Sequence, residues 1–188
     1  MRSIILVFGL IAGAILSVTM AIAIPLHDRI GFDWGVLIGY TSMVLAFMLI
    51  YFGVRSYRDN VAGGTVGFGR AFGTGMLIAS VASLCYVATW EVIYYNFAPD
   101  YMAKMQAHTI EKARADGETP AQIAAREAEM AKFAELYKNP AINSAITFLE
   151  PMPVALIVSL VSAGVLSRRR RRTAGEPLPM TGAPSRAG

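Results

Sequence analysis

The apolar segment from Gly69 to Tyr95 constrains the fold more than any other part of this chain. A helix from Ala71 to Ile93 would rise roughly 33 Å, and the hydrocarbon core of a bilayer is about 30 Å thick. Three further apolar segments flank it, and all but two of the charged residues, which make up only 16% of the chain, lie between or beyond these segments. Soluble domains carry about 25% charged residues. The sequence therefore predicts an all-α membrane protein with four transmembrane helices.

The four spans and one polar insertion account for most of the chain. We expect a single transmembrane domain over residues 1–172, with spans at about 4–25, 35–53, 71–95 and 143–167. The polar insertion, residues 99–139, is predicted to form an extracytoplasmic helical hairpin between the third and fourth spans. Residues 173–188 are rich in Pro, Gly, Ala and Ser, so they are expected to form a disordered cytoplasmic tail.

The hairpin is predicted from helix start and stop signals. Pro99 opens its first helix, and Asp116-Gly117 ends it. Thr119 and Gln122, with proline between them, match a capping box that opens the second helix. This second helix carries one apolar stripe at helical spacing, formed by Ile123, Met130, Phe133, Ala134 and Tyr137. The stripe would pack on the first helix, lie on the membrane surface or form a groove for a protein partner.

Small residues recur at four-residue spacing in the first three spans. Glycine lets the backbones of membrane helices approach closely, so this spacing is typical of helix-packing faces. The pairs are Gly9 and Gly13, Gly35 and Gly39, and Gly69 and Gly73. Together they predict a compact four-helix bundle.

The first span has two interpretations. Arg2 followed by an apolar run that ends in Ala21-Ile22-Ala23 resembles a cleavable signal peptide, which would remove residues 1–23. A run longer than twenty residues with a glycine pair favours a retained membrane helix instead. Cleavage would not change the orientation of the later spans.

The distribution of basic residues predicts the orientation. Lys and Arg are retained on the cytoplasmic side of membrane helices. Nine basic residues flank the spans on the predicted inner side: Arg2, Arg55, Arg58, Arg70, Arg168, Arg169, Arg170, Arg171 and Arg172. Both termini are therefore expected in the cytoplasm. Arg55, Arg58 and the arginine run would act as a cytoplasmic anchor or bind anionic lipid headgroups.

Two carboxylates interrupt the predicted spans near their outer ends, Glu91 in the third and Glu150 in the fourth. Pro151 and Pro153 are expected to break the fourth helix beside Glu150, which would leave backbone carbonyls without donors. Such a site suits a cation or a proton. The candidate polar pocket consists of Glu91, Glu150, Tyr94, Asn143, Thr147 and Tyr40. The other interpretation is that both glutamates make structural hydrogen bonds.

The residues give no sign of an enzyme. Cys85 is the single cysteine, which excludes an intramolecular disulfide and a cysteine-cluster metal site. His27 and His108 are isolated and peripheral, and no Ser-His-Asp or metal-ligating arrangement is recognisable. We therefore predict no metal, no cofactor, no nucleic-acid partner and no enzymatic activity.

Short motifs along the chain recur in the same order in one known family. They are Phe52-Gly53 with Arg55-Ser56-Tyr57-Arg58-Asp59, Gly67-Phe68-Gly69 with Ala71-Phe72, Tyr86 with Trp90-Glu91 and Tyr94-Tyr95, Tyr137 with Asn139-Pro140, and Thr147-Phe148-Leu149-Glu150 with Pro153. The chain resembles the bacterial membrane family catalogued as domain of unknown function 4199, over nearly its whole length up to the arginine run. The resemblance implies a four-helix protein of the bacterial inner (plasma) membrane and supplies no activity.

Two functional hypotheses follow from the sequence. The first is a non-enzymatic membrane protein that engages a protein partner or lipid through its outer hairpin or its basic inner face. The alternative is a small ion- or proton-coupled transporter that uses an outer-leaflet pocket at Glu91 and Glu150.

Overall fold

A computed structural model of the chain describes residues 1–167. These residues form seven helices: α1 (Arg2–Ile30), α2 (Phe32–Asn60), α3 (Phe68–Asn96), α4 (Tyr101–Ala115), α5 (Pro120–Tyr137), α6 (Pro140–Leu149) and α7 (Met152–Leu166). The predicted disordered tail and the arginine run Arg168 to Arg172 lie outside the described residues.

Four helical segments are long and apolar enough to cross a membrane, namely Arg2–Leu26, Phe32–Asn60, Phe68–Asn96 and Pro140–Leu166. The predicted all-α membrane fold with four transmembrane helices is thereby confirmed. The second helix is longer at both ends than the predicted span 35–53, because polar residues such as Arg55 and Arg58 continue the helix beyond its apolar part. The fourth segment consists of two helices, α6 and α7.

The spans pack around one apolar core. α1 packs against α2 and α3, and α7 packs against the other side of α2 and α3. Phe47, Ile50 and Ile78 are fully buried in this core. Large apolar side chains such as Leu45, Ile157 and Val161 are more than half exposed, as expected for a surface that faces lipid rather than water.

Close helix packing involves only some of the predicted glycines. A Cβ atom at Gly9 would lie 2.6 Å from Cβ of Val81, and one at Gly13 would lie 2.7 Å from Cβ of Cys85, so both let α1 approach α3 closely. The prediction was wrong for Gly39, Gly69 and Gly73, where an added Cβ would meet nothing within 4 Å. The other tight positions are Gly53 and Gly75, which the glycine-pair pattern did not select.

The polar insertion folds as a helical hairpin, with α4 packed against α5. The predicted capping box is present, since the Thr119 hydroxyl accepts from the Gln122 backbone N–H while Gln122 Oε1 accepts from the Thr119 backbone N–H at 2.8 Å. The apolar stripe of α5 faces inward: Tyr137 is buried, and Met130, Phe133 and Ala134 are half-buried. The hairpin therefore uses much of this stripe for its own packing.

The hairpin and the turn between α1 and α2 share one end of the molecule. Lys112 Nζ of α4 donates a hydrogen bond to Asp33 Oδ1 at the start of α2, over 3.0 Å. The ring of His108 stacks on Phe32, with 5.1 Å between the ring centroids. The start of α1, the end of α2, the start of α3 and the end of α7 lie at the opposite end.

Candidate functional site

The fourth span is broken at Glu150, as the two prolines predicted. Asn139 caps α6, since its Oδ1 accepts from the Ala141 backbone N–H at 3.0 Å, and α6 ends at Leu149. Pro151 and Pro153 have no backbone N–H, so they cannot donate to the carbonyls of the preceding helical turn. The chain restarts as α7 at Met152. Glu150 therefore lies in the two-residue interval between the two helices.

A cavity of about 310 Å³ adjoins this break. Residues of all six helices from α1 to α6 line it, and most of them are apolar. Ligand cavities in proteins range from about 300 to 1,000 Å³, so this one suits a small ligand. Tyr40 is 48% exposed and Glu150 is also exposed. The cavity can therefore be reached from outside the protein.

Aromatic side chains dominate the larger lining residues. They come from four helices, α2 to α5, and are Tyr40, Tyr86, Trp90, Tyr101, Phe133 and Tyr137. Four methionines, Met20, Met43, Met102 and Met105, contribute further polarisable surface. Among the described residues that line the cavity, Glu150 is the one side chain that carries a formal charge.

The Glu150 carboxylate has a hydrogen-bond partner on α3. The Tyr86 hydroxyl donates to Glu150 Oε2 over 3.1 Å. A hydrogen bond donated to an ionised carboxylate stabilises its negative charge. The Tyr86 bond therefore accounts for one of the two carboxylate oxygens.

The phenols contributed by the hairpin are neutral at physiological pH. Burial, with a smaller contribution from the negative charge of Glu150, raises the pKa of Tyr101 to about 12. Burial also raises the pKa of Tyr137, although its hydrogen bonds with Thr147 and Trp90 oppose that shift. Neither Tyr101 nor Tyr137 therefore adds a negative charge to the cavity.

Behind the cavity, a buried polar network joins α3, α5 and α6. Trp90 Nε1 donates to the Tyr137 hydroxyl at 2.9 Å and to Asn143 Oδ1 at 3.0 Å. The Thr147 hydroxyl lies 3.2 Å from Asn143 Oδ1, to which it donates, and 3.3 Å from the Tyr137 hydroxyl. Trp90 and Tyr137 also form part of the cavity wall. The network therefore fixes the position of two cavity residues.

Glu91 and Tyr94 lie outside the cavity lining. Glu91 Oε1 accepts a hydrogen bond from the Ser144 hydroxyl over 2.7 Å, which ties α3 to α6. Tyr94 packs against the rings of Trp90 and Tyr137, each with 5.5 Å between centroids.

The structure divides the six residues of the predicted pocket among three environments. Glu150 and Tyr40 line the cavity, whereas Asn143 and Thr147 belong to the buried network. The remaining two lie on α3 outside the cavity: Glu91 is bonded to Ser144, and Tyr94 is buried against the rings of Trp90 and Tyr137. The two glutamates therefore do not share one site.

Sequence reasoning about the pocket missed Tyr86, Trp90, Tyr101 and Tyr137. A usable signal was present for two of them, because Tyr86 and Trp90 are four residues apart and so share one face of α3. Helical spacing places Tyr137 in the apolar stripe of α5, but it does not predict the hydrogen bonds of the Tyr137 hydroxyl. Helical spacing alone does not indicate which hairpin residues fold back onto α3.

Two of the glycines predicted for helix packing line the cavity, whereas Arg55 and Arg58, which were predicted for lipid binding, lie outside it. Gly35 is buried and lines the cavity, and Gly39 lines it as well. Arg58 Nε lies 2.7 Å from Asp59 Oδ1, and Arg55 Nε lies 3.7 Å from Asp59 Oδ2. Both arginines are thus paired with one carboxylate.

Within residues 1–167, no group of three or more His, Cys, Asp and Glu side chains could hold a metal ion.

Comparisons with known proteins identify a family but no activity. No curated protein and no solved structure matches the chain. The family described as "Protein of unknown function (DUF4199)" matches residues 7–168, which cover most of the sequence, in agreement with the resemblance found in its motifs. This multi-pass integral membrane protein belongs to the DUF4199 family.

Proposed function

We propose that this protein is a non-enzymatic membrane protein that binds a small ligand in the cavity beside Glu150. One observation carries the proposal: the Glu150 carboxylate lies at the wall of a mostly apolar, reachable cavity, in the interval between the two helices of the fourth span. An ionisable side chain within a membrane span is costly and usually has a function. Here the charge faces a space of ligand size.

The cavity accounts for a binding role better than the hairpin surface does. A protein partner would need an unoccupied apolar face on the hairpin, but the stripe of α5 is largely covered by the hairpin's own packing and by α3. On the basic face, Asp59 already neutralises part of the charge of Arg55 and Arg58. We therefore place the ligand cavity ahead of both predicted interaction surfaces.

Our proposal includes an orientation in the bacterial inner membrane. The positive-inside rule favours a cytoplasmic location for the end of the molecule that carries Arg2, Arg55, Arg58 and Arg70. The hairpin and the cavity would then lie toward the extracytoplasmic side. In this arrangement the ligand enters from the outer leaflet or from the space beyond it.

Filling the cavity should abolish ligand binding. Gly39 lines the cavity and an added Cβ there meets nothing within 4 Å, so Gly39→Phe places a ring in the cavity without a clash at its base. Gly73→Phe is the matched control, since Gly73 is equally unhindered but does not line the cavity. Trp34→Phe serves as the background for both variants and leaves Trp90 as the single tryptophan.

The binding measurement is a titration of the protein in lipid nanodiscs with hexyltrimethylammonium and with hexan-1-ol, followed by the emission of Trp90. We expect a saturable change in the parent and in Gly73→Phe, and its loss in Gly39→Phe. A response that never saturates, or one that persists equally in Gly39→Phe, would show that the probes dissolve in lipid and that the cavity binds nothing.

Transport is a second candidate function, and the broken fourth span favours it. Discontinuous membrane helices frame the substrate sites of many secondary transporters. Flux through proteoliposomes distinguishes a transporter from a binding protein: Glu150→Gln should abolish it, while Glu91→Gln, outside the cavity, should preserve it.

A further inference from the structure

We infer that the ligand of this cavity is a small organic cation, an ammonium group that carries apolar substituents. The inference rests on the proposed function, because it names the chemical class that the Glu150 cavity would take. Three properties of the lining support it: its charge, the arrangement of its hydrogen-bond donors and its aromatic surface.

The charge of the lining favours a cation. Glu150 supplies the one formal charge among the described lining residues, and no Lys, Arg or His side chain lies in the wall to neutralise it. In a mostly apolar cavity, an uncompensated carboxylate attracts a positive ligand much more strongly than it would in water. An anionic ligand would meet repulsion with no basic group to offset it.

Four hydrogen-bond donors in the wall are directed at the protein itself. Trp90 Nε1 donates to Tyr137 and Asn143, and the Tyr86 hydroxyl donates to Glu150. The hydroxyls of Thr19 and Ser42 donate to backbone carbonyls of their own helices, at 2.9 and 2.7 Å. These donors are therefore not available to a carboxylate or phosphate ligand.

Aromatic faces in the wall provide a further means of recognising a cation. A cation over the face of Trp or Tyr is attracted by the ring quadrupole, and cages of such rings recognise quaternary ammonium groups. Here Tyr86, Trp90, Tyr101 and Tyr137 line the same cavity as the Glu150 carboxylate. The methionines of the wall would contact the apolar substituents.

A bare metal ion fits this lining less well than an organic cation does. Calcium takes six to eight oxygen ligands, and magnesium requires an octahedral set. The described lining residues offer one carboxylate and are otherwise mostly apolar. The cavity lining therefore suits an organic cation, whose charged group carries apolar substituents.

The test is equilibrium dialysis of the protein in nanodiscs against three probes that share a hexyl chain and differ in the charge of the headgroup: hexyltrimethylammonium, hexan-1-ol and hexyl sulfate. Empty nanodiscs measure partition into lipid. We expect the parent to bind the cation at least about tenfold more tightly than the alcohol, a factor that corresponds to about 1.4 kcal/mol. Hexyl sulfate should bind most weakly.

Glu150→Gln should remove the preference for the cation while binding of the alcohol persists, since glutamine keeps the size of the side chain and loses its charge. Glu91→Gln provides a matched second variant, because it removes a carboxylate outside the cavity lining and keeps Glu150, and it should retain the order of the three probes. Melting curves of both variants establish that they fold.

Two results would overturn the inference, and they differ in what they leave standing. Saturable binding of the cation and the alcohol with equal affinity would refute the cation preference and leave the ligand cavity intact. Binding of none of the probes above empty nanodiscs would refute the cation and the proposed function together. A cation preference that survives in Glu150→Gln would assign recognition to other residues and would also refute the inference as stated.

Discussion

Replacing Trp90 with alanine should destabilise the protein by roughly 3–5 kcal/mol, the range found when large buried aromatic side chains are truncated. Trp90 is 6% exposed and contacts the rings of Tyr94 and Tyr101. Its indole N–H also supplies a donor to Tyr137 and Asn143, and these buried groups would lose it. The measurement is the fraction of folded protein during titration with SDS.

Trp34→Ala is the matched control for this prediction. Trp34 is 63% exposed, so its truncation should change the free energy of unfolding by less than about 1 kcal/mol. Trp90→Phe separates packing from hydrogen bonding, because it keeps most of the ring and removes the donor, at an expected cost of about 1–3 kcal/mol. Equal stability of Trp90→Ala and Trp34→Ala would contradict the buried network.

Replacing Gly9 with leucine should disrupt the contact between α1 and α3. A Cβ at this position would lie 2.6 Å from Cβ of Val81 and 3.0 Å from the backbone oxygen of Ile78, which no change of rotamer can move. Overpacking of a close contact costs about 1–3 kcal/mol, and the further atoms of leucine place the expected loss at the upper end of that range. The same SDS titration measures it.

Gly73→Leu is the control for Gly9→Leu, since an added Cβ at Gly73 meets nothing within 4 Å. It should leave stability unchanged or raise it slightly, because leucine has the higher helix propensity. If both variants unfold at the same SDS fraction as the parent, the close approach of α1 to α3 is wrong.

The spans, the capping box and the break at Glu150 could be predicted from the sequence because each depends on local chemistry. The length of an apolar segment determines whether it can cross the membrane. The side chains of Thr119 and Gln122 each accept a hydrogen bond from the other residue's backbone N–H. Pro151 and Pro153 have no backbone N–H to donate to the carbonyls of the preceding helical turn. Each of these features appears in the structure.

The tight glycine contacts could be predicted only in part. Spacing shows that two glycines share a helix face, but it does not show which face meets a neighbour. The interface of α1 with α3 uses Gly9 and Gly13, while α2 and α3 use Gly53 and Gly75 instead of the pairs in the pattern.

The composition of the site could not be predicted for a similar reason. Trp90 and Glu91 are consecutive on α3, and Asn143 and Ser144 are consecutive on α6, so each pair points about 100° apart. When the two helices pack, Trp90 meets Asn143 in the interior and Glu91 meets Ser144 beside it. To predict which residue of each pair faces inward, one must know how each helix is rotated about its own axis. That rotation depends on how the remaining helices pack against it.

The most direct test of a ligand cavity at Glu150 is contact quenching of Trp90 by 6-bromohexyltrimethylammonium, because bromine quenches tryptophan only at close range. In the Trp34→Phe background, where Trp90 is the single tryptophan, we expect saturable quenching that is lost in Gly39→Phe. In the parent, the emission of Trp34, which lies outside the cavity lining, should remain. Quenching of Trp34 with Trp90 unaffected would contradict the proposed site.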